Sequence, residues 1–296
     1  MTLFLQLLVS GFGVGIVYAM IAMGFVIILK CSQAFNIAQG HFVMIGGYIG
    51  FTFLAMCGLP LWASMLAAIA TAAIMGLLIE RLTLRPLVGQ PVLAVIMMTI
   101  ALGFCILEGL AILIWGGEFK VYPGVLPAIS LRLGEVYIPA STVITVIFAT
   151  IVVATLMLFF RYAKIGLMMR ATAEDEQVVQ GAGMRVTTVY AISWIIASVT
   201  GVVAGILLAA GGGVDPYMSH IGLKALAVVL LGGVNSIGGA IVAGIIVGVA
   251  EAMAAGYLDP LTLNGGLATI VPFIIIIIVL SIRPHGLFGL QSIERI

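Results

Sequence analysis

The sequence predicts an all-α protein: a polytopic transmembrane helical bundle of eight or nine spans, built as a single domain over residues 1–296. Three observations predict it. Of the residues, 63% are hydrophobic and only 8% charged, with a mean hydropathy of +1.32, whereas a soluble domain carries about 25% charged residues. Seven stretches (1–29, 31–79, 86–107, 136–160, 186–214, 225–250 and 260–282) contain no Asp, Glu, Lys or Arg, and a helix crosses the hydrocarbon layer in roughly 20 residues. Many of the 37 glycines fall inside those stretches, where small residues let helices approach closely.

Residues 3–29 form the first span. They lack a basic flank and a small-residue cleavage site, and the apolar run exceeds a signal-peptide core, so the segment is expected to be retained. The stretch 31–79 is too long for one helix, and Gly58-Leu59-Pro60 marks a turn within it. Spans are therefore expected near 41–57 and 61–79, then near 91–115, 141–160, 188–211 and 265–282. The region 222–256 holds two shorter segments, broken between Gly232-Gly233 and Gly238-Gly239. Whether that break is a full turn or a kink decides between nine and eight.

Lys30, Arg81, Arg85, Arg161, Lys164, Arg170, Arg185, Arg283 and Arg295 fall on one face of that arrangement. The opposite loop, 116–140, has only Lys120 and Arg132, offset by Glu118 and Glu135, and the connector 257–264 carries Asp259 without a basic residue. By the positive-inside rule the first face is cytoplasmic. The C-terminus is then expected inside and the N-terminus outside, a parity that nine crossings satisfy. No appended soluble domain is expected.

A net charge of +1 offers no basis for binding nucleic acid. Cys31, Cys57 and Cys105 show no disulfide or metal spacing, and His41, His220 and His285 show no ligand spacing. No GxxxxGK[ST] loop occurs, so the chain lacks that route to ATP hydrolysis. It is not expected to be an enzyme, to bind a cofactor or to hold a metal.

Two interruptions pair an amide with glycines. Phe35-Asn36-Ile37-Ala38-Gln39-Gly40 comes early, and Val234-Asn235-Ser236-Ile237-Gly238-Gly239 late, each followed by an apolar helix. Corresponding polar breaks in two halves of a chain mark discontinuous helices along a transport path; the plainer alternative is that each amide caps the helix after it. Asn36, Gln39, Gly40, Gly233, Asn235 and Gly238 are the candidate path residues.

Seven charges fall between Arg161 and Arg185. Thr172 followed by Asp175 resembles a capping box, Glu174, Asp175 and Glu176 fill the expected first turn, and Gly181 or Gly183 ends the helix. A short amphipathic helix, too polar to cross, is expected on the cytoplasmic face. It serves either as a plain loop or as a segment that docks into a separate motor.

Together these residues resemble the permeases of branched-chain amino acid-type ABC importers. The likeness runs through Tyr18-Ala19-Met20, Phe35 to Gly40 with Gly46-Gly47-Tyr48, and Glu80-Arg81 with Arg85-Pro86-Leu87. It continues in Met169-Arg170-Ala171 to Gly183, Leu231 to Ala240, and Arg283-Pro284-His285-Gly286-Leu287-Phe288-Gly289. It implies a multi-pass subunit of a bacterial-type inner membrane that forms the translocation path. Its implied partners are a second, similar permease, two cytoplasmic ATPases that hold ATP and Mg, and an extracytoplasmic solute-binding protein. The resemblance identifies the Arg170–Gly183 segment as a coupling helix, with Arg170, Ala171, Glu174, Asp175 and Gly183 facing the ATPase. Val179 and the pair Val234-Asn235 depart from the family's smaller residues. The solute class it implies is branched-chain or hydrophobic amino acids, or amides, urea and aromatic acids. The alternatives are an ion-coupled secondary transporter, a monosaccharide ABC permease and, last, a membrane-embedded enzyme.

Glu108, Lys224 and Glu251 lie within or near spans. An ionisable group in lipid costs at least about 2.5 kcal/mol on insertion scales. Glu108 is expected to face the bundle, Glu251 to sit near the outer end of its span, and Lys224 to snorkel toward the interface.

Overall fold

The computed structural model describes residues 2–122, 130–133, 136–181, 183, 185–262 and 265–289. Helices α1 (Thr2–Ser32), α2 (Gln39–Phe51), α3 (Leu61–Ile79), α4 (Val92–Ile100) and α5 (Glu108–Trp115) come first. An antiparallel hairpin of β1 (Ser130–Leu133) and β2 (Val136–Pro139), inside what the sequence reads only as a loop, leads into α6 (Ala140–Tyr162). Then follow α7 (Lys164–Glu174), α8 (Glu176–Gly181), α9 (Val186–Ala209), α10 (Ile221–Gly232), α11 (Ile237–Tyr257) and α12 (Leu267–Ile282). Helices dominate because hydrocarbon offers backbone amides and carbonyls no partner outside the chain.

Among the described residues six helices are long and apolar enough to cross a membrane: Thr2–Ser32, Leu61–Leu87, Val92–Trp115, Ala140–Tyr162, Val186–Ala209 and Ile237–Leu261. Pro216–Gly232 and Leu267–Ile282 are shorter apolar helices. Pro60, Pro91 and Pro139 sit at the N-caps of α3, α4 and α6, where a missing N–H breaks no intrahelical bond. Wide π turns extend α2 over Thr52–Met56 and join α4 to α5 over Ala101–Leu107. The expected count of eight or nine blurs at α2 and α10. Both begin inside the bundle rather than at its edge.

The axis of the bundle is α1, with 83% of its most apolar stretch buried against 17% for α6. Lipid tails are as apolar as leucine, so close backbone packing must hold helices together. Gly11, Gly15 and Ala19 of α1 cross Gly244, Gly248 and Ala252 of α11. A Cβ added at Gly15 would lie 2.8 Å from the Gly244 carbonyl oxygen and from Ile245 Cα. Helices α2 and α9 cross in the same way, with Gly46 against Val202 and Gly205 against Val43 and Gly47.

The segment after α6 differs from its sequence reading. Its helix starts at Lys164, not near Thr172, and the Thr172 hydroxyl donates to the Met168 carbonyl inside α7 at 2.9 Å instead of capping. Packing overrides the capping-box signal. Met169 is fully buried with Ile27, Cys31, Phe160 and Val189, and Gly166 meets the end of α6, where a Cβ would lie 2.5 Å from the Phe159 carbonyl oxygen. Asp175, in extended backbone (φ −155°), separates α7 from the short α8. Gly183 follows at φ +79°, a conformation that suits glycine at the end of a helix.

At the α9 end, Lys120 and Val214 exchange two 2.9 Å backbone bonds, and Tyr122 donates to the Gly47 carbonyl at 2.5 Å. Burial pushes the Tyr122 hydroxyl well above its ordinary value, so it stays a donor. At the other end the chain after α12 folds back. Leu287 and Phe288 donate to the Leu231 and Gly232 carbonyls at 2.8 and 3.1 Å, completing the end of α10 that no further turn satisfies. Arg295 and Glu135, used in the charge count above, lie outside the described residues.

Candidate functional site

The early interruption turns the chain back into the bundle. Asn36 and Gln39 are buried to 1% and 0% exposure. The Asn36 amide donates to Gln39 Oε1 at 3.0 Å, and Gln39 Nε2 donates to the Ala197 carbonyl, midway along α9, at 2.9 Å. Asn36 therefore does not cap α2, whose N-cap is Ala38 without a side-chain bond. Thr99, fully buried on α4, clips the connector by accepting from Ile37 N and lying 3.1 Å from the Phe35 carbonyl. One turn on, Gly40 touches the start of α10, where an added Cβ would lie 2.8 Å from Gly222 Cα. The N-termini of the two short helices α2 and α10 thus meet within the bundle.

The late interruption is built differently. Ser236, not Asn235, caps α11, accepting from Gly239 N at 3.0 Å. Gly233 is buried at φ +99°, whereas Asn235 and Gly238 are exposed. The two amide breaks are neighbours without touching: Leu29 and Phe35 line both the small hollow around Asn36 and the cleft that holds Asn235.

That cleft, of about 410 Å³, joins the two candidate groups. It lies between the end of α1 (Lys30, Gln33), α7 (Arg170, Ala173, Glu174) and the α10–α11 break (Val234, Asn235). Arg170 donates to the Phe160 carbonyl and, at 3.2 Å, to the Arg161 carbonyl, with its guanidinium over the Phe160 ring. It thereby satisfies the carbonyls at the end of α6 and fixes the angle at which α7 leaves it. Ala171 is half-buried; Glu174, Asp175 and Gly183 are exposed.

The intramembrane ionisable groups have polar partners. Glu108 lies 3.2 Å from His41 Nε2, and the His41 ring rests edge-on against Phe104 at 4.6 Å. Glu251 receives Lys224 on one oxygen and the Tyr18 hydroxyl on the other, at 2.8 Å, so α10, α11 and α1 share one polar knot. Lys224 is thus an ion-pair partner with a side chain 19% exposed, not a snorkelling residue. Sequence reading gave no site role to His41, Tyr18, Thr99, Gly166 or Lys30. Gly166 meets the end of α6 just before it, but the partners of the other four lie far along the chain, and only the three-dimensional crossing brings them together.

The comparisons agree with this architecture. A family model described as branched-chain amino acid transport system / permease component matches residues 7–280. LivH of Salmonella typhimurium, a high-affinity branched-chain amino acid transport system permease protein, is 31% identical over 99% of this chain and 98% of its own. BraD of Pseudomonas aeruginosa, which bears the same description, is 32% identical with the same coverage. Among solved structures, PsaBC from Streptococcus pneumoniae in complex with Fab aligns with a TM-score of 0.50 at 18% identity, covering 96% of this chain and 93% of that one; that likeness speaks for the fold alone. With the family matched over nearly its whole length, the chain is a member of the branched-chain amino acid transport system permease family.

Proposed function

We propose that this chain is the membrane-embedded permease subunit of an ATP-driven importer for branched-chain or similar hydrophobic amino acids. It works beside a second permease of its kind, two cytoplasmic ATPases and an extracytoplasmic solute-binding protein. The end that carries Lys30, Arg85, Arg170 and Arg185 faces the cytoplasm, the N-terminus faces outward and the C-terminus inward. The chain itself holds no cofactor; ATP and Mg sit on the ATPases.

The observation that carries this reading is the α7–α8 segment. It exposes Lys164, Glu174 and Asp175 along with Leu167 and is fastened to three spans at once, by Arg170 and Gly166 to α6 and by Met169 to α1 and α9. Asp175, at the joint between α7 and α8, is exposed to a docking partner. Closure of the ATPase pair pushes α7 as a rigid lever. Its inner face borders the α10–α11 break across the cleft, so the push reaches the interrupted helices whose N-termini meet at Gly40 and Gly222. Rocking about that point exchanges access between the two faces, as repeat-built transporters do.

In vesicles reconstituted with the complete importer, Arg170→Ala and Gly183→Val are expected to lower ATP-driven leucine uptake about tenfold or more. Membrane insertion and co-purification of the ATPases are expected to stay unchanged. Normal uptake in both variants removes the coupling assignment.

A further inference from the structure

The cleft bounded by α1, α7 and the α10–α11 break has the chemistry of a ligand site, not of a mere seam between helices. Lys30 projects a positive charge and Glu174 a negative one, within electrostatic reach of each other. Among the described residues neither side chain is engaged in an ion pair or hydrogen bond; Lys30 rests only against the Phe160 ring at 5.8 Å. Two opposite charges that face one space without closing on each other leave room for a molecule bearing both. Gln33 and Asn235 add amides, and Gln33 does so from a left-handed backbone (φ +47°), a strained conformation for a non-glycine residue. Leu29, Phe35 and Val234 supply an apolar wall. At about 410 Å³ the cleft falls within the usual range for small-molecule sites, roughly 300–1,000 Å³.

We propose that this cleft binds a free zwitterionic amino acid with an aliphatic side chain. Lys30 and Arg170 face its carboxylate, Glu174 its ammonium, and Leu29, Phe35 and Val234 its side chain. A ligand there spans α1, the lever α7 and the interrupted helix pair, the parts that must shift against one another. Occupancy holds them together and slows the cycle. The cleft is therefore a feedback site, through which solute accumulated on the basic side restrains its own import. Its regulatory sense rests on the function proposed above; its binding chemistry does not.

The test separates the two. Binding of radiolabelled leucine is measured on the full chain in phosphatidylcholine nanodiscs, without ATPases or binding protein. 4-Methylvalerate (carboxylate only) and isoamylamine (ammonium only) serve as competitors. Leucine is expected to bind, each single-charge analogue to compete about tenfold or more weakly, Lys30→Met to weaken binding about tenfold or more, and Lys30→Arg to retain it. In vesicles carrying the complete importer, leucine preloaded on the ATPase side is expected to slow uptake by the parent protein and not by Lys30→Met, whose uptake into empty vesicles is unchanged. Absence of leucine binding overturns the site, as does binding indifferent to Lys30→Met or matched by 4-methylvalerate. Leucine binding that depends on Lys30, with preloading that leaves uptake unaffected, overturns the feedback role. Failure of ATP-driven uptake in every version falls on the proposed function, while the nanodisc measurement still decides the site.

Discussion

Lys224→Met is expected to destabilise the protein by about 3–5 kcal/mol, because it leaves Glu251 charged and unpaired inside the bundle. Glu251 holds both Lys224 and the Tyr18 hydroxyl, with side-chain exposures of 16% and 19% for the acid and its lysine. Glu251→Leu alone strands the ammonium in the same way. The double variant Lys224→Met/Glu251→Leu removes both charges and is expected to recover most of the loss, since an apolar pair of similar volume is often as stable as a buried ion pair. Unfolding of the four proteins in lipid nanodiscs measures the cycle. Additive losses in the double variant refute a direct pairing. Tyr18 keeps a role in either case, as the hydroxyl that ties α1 to the knot.

The second large effect is expected at the α1–α11 crossing. Gly248→Leu places a branched side chain where even a Cβ would lie 2.6 Å from the Gly11 carbonyl oxygen. Overpacking typically costs about 1–3 kcal/mol in soluble cores and sometimes more, and here the obstacle is backbone, which cannot turn aside. The variant is expected to fail to accumulate as folded protein, with Gly248→Ala intermediate. Gly109 on α5 is the control: its added Cβ meets nothing within 4 Å, and Gly109→Ala is expected to be neutral or slightly stabilising through helix propensity. Equal accumulation of Gly248→Leu and the parent, measured by size-exclusion profile and membrane yield, contradicts the crossing.

Much of this architecture was legible in the residues. Pro60, Pro91 and Pro139 announce the starts of α3, α4 and α6, and the glycine pairs around Val234-Asn235 announce the break between α10 and α11. Signals of this kind are local. The capping box at Thr172 is also local, and it misled because Met169 sets the register of α7 through contacts with α1 and α9 that no short window contains. The two asparagines drew attention correctly as polar residues at breaks, yet neither caps a helix. Asn36 is tied into α9 through Gln39, and Asn235 stands exposed in the cleft beside α7. Pairings such as His41 with Glu108, or Tyr18 and Lys224 with Glu251, join separate helices, and sequence spacing carries no trace of them.

The central claim is that solute movement through this helical bundle is driven by nucleotide hydrolysis on companion subunits and transmitted through α7 and α8. Its most direct test is leucine accumulation in sealed vesicles, measured for the complete importer and for this chain alone, with and without ATP and with protonophore and sodium ionophore present. The account predicts accumulation only with the companions and ATP, undiminished by the ionophores. Accumulation by the chain alone, driven by an ion gradient and abolished by the ionophores, contradicts it.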